Sequence, residues 1–337
     1  MLSMKPQLVC FGELLLRMSS PAGEMLLQTP RLDVCIGGAE ANVAVSLARF
    51  GHRVSLASAL PANALGEAVR DGVRAHGVDT GALHFAPGRI GLYFLTPGAV
   101  LRPSEIVYDR EGSVFAQTDP ATYDWPALLA GADWLHVSGV TPAVGERGAQ
   151  AALDAVRAAR ALGVKVSFDG NYRATMWARQ GSDGAGVLHE LMRHADLAFA
   201  DQRDMALVLR RPELARGSRA DAMAAAFEAF PQLQRVAATI RTQHSNDHHD
   251  LTATLHTRAG AIAAPGHALH GIVDRIGTGD AFAAGLLHGL LRGWNEERAL
   301  TFGLAAAVTK HSIAGDFNLA SEAQVLAVCA GGLDVRR

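Results

Sequence analysis

Apolar residues come in short blocks followed by helix-spaced stretches. Leu8–Phe11 is a four-residue apolar run ending at Gly12, and Ala39–Phe50 then repeats apolar positions at helical spacing up to a stop at Gly51. The alternation recurs along the chain. Val54–Ala57 precedes a helix at about 65–76, Trp134–Val137 precedes 145–161, and Lys165–Phe168 precedes 184–194. Leu197–Ala200 and Val236–Ile240 read as further strands, and alanine- and leucine-rich helix fills about 279–314. Strands alternating with helices predict an α/β chain built on a doubly wound, mostly parallel sheet flanked by helices, with its ligand site outside the strand C-termini.

Two stretches interrupt this rhythm. At about 14–36 and 82–117, short β-prone runs such as Leu92–Thr96 and Ile106–Tyr108 lie between prolines and glycines. Neither can bury a core alone, so the expectation is one domain over 1–337 with these segments inserted as a small β-sheet lid. Exposed lid strands also suit pairing between subunits, hence a homo-oligomer through the lid. The polar tract Gln243–Asp250 reads as an exposed loop.

Composition narrows the partner. Hydrophobic residues make up 49% of 337, enough for a large core, while 31 Lys and Arg nearly balance 33 Asp and Glu. No basic field points to nucleic acid or an anionic membrane, so a small molecule is expected. Cys10, Cys35 and Cys329 are odd in number and widely spaced, against a disulfide framework or a structural zinc site and in keeping with a reducing, cytoplasmic setting. Cys10 and Cys35 read as buried small residues. The apolar run before Glu13 is too short for a signal-peptide core, and no stretch is long enough to span a membrane. His244, His248, His249 and Asp250 match no helical metal motif and are read as part of the solvated loop.

The chemistry concentrates in Asp274-Arg275-Ile276-Gly277-Thr278-Gly279-Asp280, which opens the late helix. Gly277 and Gly279 let backbone N–H groups turn toward a ligand, and the helix N-terminus adds partial positive charge, which together make an anion hole. Asp280 at its edge would take the proton of an attacking hydroxyl and be kept ionised by the same N-terminus. Alone, the heptad is equally a turn capped by Asp280. A second motif, Gly37-Gly38-Ala39-Glu40-Ala41-Asn42, opens another helix with bare backbone and an amide one turn in. Glycines after the first strand do not form the Gly-x-Gly-x-x-Gly of a dinucleotide site.

Together the two motifs resemble the signatures of the ribokinase-like (PfkB) carbohydrate kinases. Within them, Gly91-Leu92-Tyr93-Phe94, Val107-Tyr108-Asp109-Arg110, Phe168-Asp169-Gly170-Asn171-Tyr172-Arg173 and the stretch Lys310–Asn318 are most similar to 2-keto-3-deoxygluconate kinases. The resemblance implies ATP and Mg2+ as cofactors and phosphorylation of a sugar acid to 2-keto-3-deoxy-6-phosphogluconate. It implies Asp280 as base, with Gly37, Gly38, Asn42, Tyr93, Tyr108, Arg110, Arg173 and Asp316 around the sugar. Asn171, Arg241, Gly277, Thr278 and Gly279 would hold nucleotide. A sugar carboxylate wants a planar bidentate cation, which Arg110 from the lid and Arg173 from the core supply. Fructokinase-type activity on a neutral sugar, or a non-catalytic sugar-acid sensor, are the alternatives.

Three departures stand out. Arg275 and Ile276 occupy positions where the family often has a small hydroxyl residue. Asp201-Gln202-Arg203-Asp204 replaces Asn-x-x-Glu, a motif tied to magnesium through water, leaving Asp201 and Asp204 as oxygen ligands or helix caps. Thr239–Ser245 lacks the usual Lys-x-Gly-x-x-Gly, so Arg241 would stand in for lysine near phosphate.

Overall fold

A computed structural model describes residues 7–331. In chain order the elements begin with β1 (Leu8–Phe11), β2 (Leu15–Ser19), β3 (Asp33–Gly37), α1 (Ala39–Arg49), β4 (Val54–Pro61), α2 (Ala64–Arg74) and β5 (Leu83–Ala86). There follow β6 (Gly91–Thr96), β7 (Glu105–Asp109), α3 (Val114–Gln117), α4 (Trp125–Leu128), β8 (Trp134–Ser138), α5 (Glu146–Ala161) and β9 (Lys165–Asp169). Next are α6 (Ala174–Gln180), α7 (Gly184–Arg193), β10 (Leu197–Phe199), α8 (Gln202–Val208), α9 (Arg219–Ala229) and β11 (Arg235–Gln243). The chain ends in β12 (His248–Thr257), β13 (Gly260–His270), α10 (Thr278–Leu291), α11 (Glu296–Lys310) and α12 (Glu322–Cys329).

Nine strands form the large sheet in the order β13-β12-β11-β10-β9-β8-β1-β4-β5. All neighbours are parallel from β11 to β5, and β12 and β13 add an antiparallel edge. The central strands are apolar on both faces because helices cover both, which is why Leu8–Phe11 and Val54–Pro61 are continuously buried. One apolar layer packs α5 and α7 on the sheet through residues such as Phe11, Val156 and Phe168. The other packs α1, α10 and α11 through Leu47, Phe282 and Phe302. The order reverses at β1, so the C-terminal ends of β1, β8 and β9 frame the crevice where a doubly wound sheet binds ligand.

A separate four-stranded sheet, β3-β2-β6-β7, stands over that crevice. The second insertion is narrower than 82–117. Strand β5 pairs in parallel with β4 at the edge of the large sheet, and Val114, Phe115 and Ala116 are buried, the first two in the first core layer. The helical stretch at 279–314 is two helices, broken at Gly293, which turns the chain at φ +70°.

Of residues 243–250, 244–247 form a largely solvent-facing turn, while Gln243 and 248–250 belong to strands. Strands β11 and β12 form an antiparallel hairpin across them, with Gln243 opposite His249 and Thr242 opposite Asp250. His249 is fully buried there. Cys10 is buried as expected, but Cys35 is only half-buried, and all three cysteines are free thiols. No helix among the described residues is long and apolar enough to cross a membrane.

Candidate active site

Helix α10 begins where sequence placed it, but its cap is Gly277, in the left-handed region at φ +78°, and no side chain caps it. A Cβ on Gly277 would lie 2.1 Å from the Asp316 carbonyl oxygen, so the turn requires glycine on both counts. Asp280 therefore sits in the first turn rather than capping it. Its Oδ2 instead accepts a 2.6 Å hydrogen bond from Asn42 Nδ2 on α1. The amide N–H expected to meet the sugar is thus committed to Asp280, and the buried Asn42 Oδ1 has no hydrogen-bond partner among the described residues.

Burial pushes the Asp280 carboxyl up to about 7, the Asn42 bond pulls it down, and the Glu40 carboxylate raises it again. The helix N-terminus does not keep Asp280 firmly ionised, as sequence suggested. Desolvation exceeds the pull of the Asn42 hydrogen bond and leaves the group poised near neutrality. Glu40 is buried beneath, accepting from Ser138 N and Oγ at 2.8 Å and from Thr141 Oγ1 at 2.6 Å. Gly38, at φ +139°, brings the start of α1 against the Glu13 carbonyl, 2.3 Å from where a Cβ would be.

The heptad's first residue is an anchor. Asp274 accepts from Arg17 Nη2 at 2.8 Å, from Ile276 N at 3.0 Å and from Gly315 N at 3.0 Å, which fixes the approach to Gly277. Arg17 also lies 3.2 Å from Asp316, so two carboxylates share one buried guanidinium. Burial raises Asp316 to about 6 despite Arg17. Its Oδ2 accepts from Tyr93 Oη at 2.9 Å, so the Tyr93 hydroxyl is turned to Asp316, not presented freely to a ligand. Gly37 packs against the same Oδ2.

A cavity of about 340 Å³ opens between the small sheet and the large one. Gly38, Asn42, Tyr93, Tyr108, Arg110, Asn171, Arg173, Gly277, Thr278, Gly279, Asp280 and Asp316 all line it, drawn from positions dispersed over the sequence. Asn171, assigned to nucleotide, is on this side. Beyond Thr278 and Gly279, which border both, a second cavity of about 480 Å³ contains Arg241, Thr239, Arg203 and Asp201. The N-terminus of α10 is therefore the partition between the two, where backbone N–H groups can face both.

Two expected roles change. Arg110 is buried and already paired, its Nε 2.5 Å from Glu13 Oε2, with Nη1 on Met176 Sδ. Arg173 has no ion-pair partner among the described residues, and neither does Arg275, which sequence treats only as a departure. Arg275 lines the cavity beside Asp280, and its guanidinium is pushed down by burial and by Arg241. Nothing in the motif announces it except that a large cation replaces a small residue. Asp169, at the end of β9, is a second missed lining residue, its carboxyl driven well up by burial and by Asp280.

Asp201 and Asp204 form a capping box on α8: Asp201 Oδ1 accepts from Arg203 N and Asp204 N, and Asp204 Oδ2 accepts from Asp201 N at 2.8 Å. Asp201 borders the second cavity with its Oδ2 outside the cap, which suits water-mediated contact to a hard cation. Asp204 borders neither cavity and does not fit that role.

Residues 5–317 match the description of the pfkB family carbohydrate kinases. A 2-dehydro-3-deoxygalactonokinase of Haloferax volcanii is 30% identical over 98% of both chains. Among solved structures, a PfkB family carbohydrate kinase from Listeria grayi is 36% identical with a TM-score of 0.90, over 96% of this chain and 99% of its own. The 2-dehydro-3-deoxygluconokinase of Thermotoga maritima is 34% identical with a TM-score of 0.88 over the same shares. With its α10 partition, its opposed cavities and these full-length similarities, the chain belongs to the pfkB family of carbohydrate kinases.

Proposed function

We propose that this kinase transfers the γ-phosphoryl group of ATP to the terminal hydroxyl of 2-keto-3-deoxygluconate, giving 2-keto-3-deoxy-6-phosphogluconate. The observation that carries the substrate class is the pair of unpartnered guanidiniums, Arg173 and Arg275, in the cavity with Asp280. Arg275 is half-buried and Arg173 exposed at this cavity, and a carboxylate on the ligand can pair with their planar guanidiniums while fixing its own orientation. Arg110, held by Glu13, keeps guanidinium N–H groups beyond Nε and offers a third, pre-oriented donor.

In this reading the sugar sits between the small sheet and the core with its terminal hydroxyl at Asp280. Asp280 takes the hydroxyl proton as the oxygen attacks the γ-phosphorus, and the bond to the β-phosphate oxygen breaks to release ADP. Backbone N–H groups at 277–280 receive the developing phosphoryl charge, and Arg241 meets the nucleotide phosphates from the other side. Asp201 would hold Mg2+ through water, the ion supplying charge neutralisation on the phosphates.

The Haloferax volcanii relative supports a second reading in which the acceptor is 2-dehydro-3-deoxygalactonate. A coupled ADP-release assay across both keto-acids, fructose and ribose separates these. The expected result is the highest kcat/KM on 2-keto-3-deoxygluconate, and an Arg173→Met variant that loses at least about 10-fold in kcat/KM on the keto-acid. Preference for fructose or ribose overturns the acidic-substrate assignment, and preference for the galactonate selects the second reading.

A further inference from the structure

The β11–β12 hairpin carries a cluster of side chains that the kinase site does not use. At its turn, His244 N and Ser245 N both donate to the His248 carbonyl, so the strands close tightly over 244–248. On the next pairing, His248 stands opposite His270 of β13. Strand alternation sends His249 and Leu251 into the core, where both are buried, and leaves His248 and Asp250 on the outer face with His244 and His270. The three outer imidazoles stack in a row: His244 on His248 at 4.4 Å between ring centres and His248 on His270 at 4.0 Å. Asp250 closes the row with Oδ2 2.7 Å from His244 Nε2.

One ligand atom from each of His244, His248 and Asp250 lies within 4.8 Å of the other two. Ligand atoms around a tetrahedral cation with bonds of about 2.0–2.1 Å are roughly 3.3 Å apart, so binding requires side-chain rotations that unstack His244 from His248 and replace the His244–Asp250 hydrogen bond by two metal bonds. We propose that His244, His248 and Asp250 form a binding site for a borderline divalent transition cation such as Zn2+, with water completing the coordination. Two imidazoles and one carboxylate are the donor set of such ions, whereas Mg2+ and Ca2+ take oxygen donors and belong on the nucleotide side. His244 and Asp250 are exposed, so the ion enters from solvent without opening the fold.

The position gives the site a consequence. Asn246, inside the same turn, donates from Nδ2 to the carbonyls of Val100 at 2.8 Å and Arg102 at 2.7 Å, which lie between β6 and β7 in the small sheet. Strand β11 also carries Arg241 into the nucleotide-side cavity. A cation bridging His244 to Asp250 staples the turn that links the two.

The test uses tag-free full-length protein stripped with chelator, without nucleotide, titrated with Zn2+ by calorimetry and with Co2+ by visible absorption. Wild type should bind one equivalent at this site with the d–d absorption of a nitrogen- and oxygen-ligated Co2+. His248→Ala and the near-isosteric Asp250→Asn should each weaken Zn2+ at least about 10-fold, with metal-free melting temperature and MgATP-dependent turnover unchanged for Asp250→Asn. No binding by wild type up to about 1 mM, or Zn2+ affinity in Asp250→Asn equal to wild type, overturns the site.

Discussion

At the scale of single residues, the proposed base is governed by burial. Asp280 is raised to about 7 from an ordinary value of 3.8. The acid limb of kcat/KM should therefore fall near pH 7, since this profile reports the free enzyme. Asn42 supplies the hydrogen bond that lowers Asp280, so Asn42→Ala should move that limb upward by about one pH unit. A pH–rate series on both proteins checks this, and an unmoved limb removes Asn42 from the control of Asp280. Stability follows the opposite sense to that of a salt-bridged aspartate. A carboxyl whose folded value is raised favours the fold fully below about pH 4 and loses that contribution as pH rises through about 7. Asp280→Asn should thus cut turnover at least about 10²-fold and yet melt higher than wild type at pH 8, by on the order of 1 kcal/mol, with the gain vanishing toward pH 4. Thermal melts at the two pH values measure it. Sequence points to Asp280, Arg110 and Arg173, but neither to Arg275 as a cavity cation nor to which guanidinium is paired. Glu13 and Arg110 are 97 residues apart, and only the fold shows that this guanidinium is taken while Arg173 and Arg275 are not.

At the scale of elements, strands buried on both faces are legible in the sequence because a continuous apolar run such as Leu8–Phe11, closed by a glycine, suits an element covered on both sides and little else. The hairpin at 243–250 is not, because its period of two is written in residues of one polarity. His248 and His249 are the same residue type, yet one faces outward and the other is fully buried. Strand β5 reads as part of the lid because its partner, β4, is a property of topology, and a short β-prone run such as Leu83–Ala86 looks alike in either sheet. The pair α10 and α11 shows another element-level feature, close contact through small residues. A Cβ on Gly285 would lie 2.7 Å from Gly303 Cα, a backbone atom that cannot rotate away. Alanine in mid-helix gains about 1 kcal/mol of intrinsic propensity over glycine, but overpacking costs about 1–3 kcal/mol. With backbone as the obstacle the second effect wins, so Gly285→Ala should destabilise by about 1–2 kcal/mol in urea unfolding. A midpoint at or above wild type would mean that the helices separate freely.

For the whole molecule, the four-stranded sheet borders the sugar cavity and also presents open edges. Its inner side contributes Leu15, Tyr93 and Leu95 to a small buried cluster above the cavity, whereas Val34 and Val107, on the opposite face, remain exposed. Those residues lie on β3 and β7, the two edge strands, whose unpaired backbone groups invite a further strand. Apolar side chains on open edges are a poor arrangement for an isolated chain and a good one for pairing two small sheets about a twofold axis. The expected state is therefore a homodimer joined through the small sheets. Placing charge at the centre of one edge, Val107→Glu, should shift light-scattering mass toward the monomer. It should also raise KM for the sugar more than for ATP, because Tyr108 and Arg110, close along the chain to Val107, line the sugar cavity and the nucleotide-side cavity lies across α10. A variant that remains dimeric with unchanged KM would place association on another surface, and a monomeric wild type would leave those edges protected by their own twist and brevity alone.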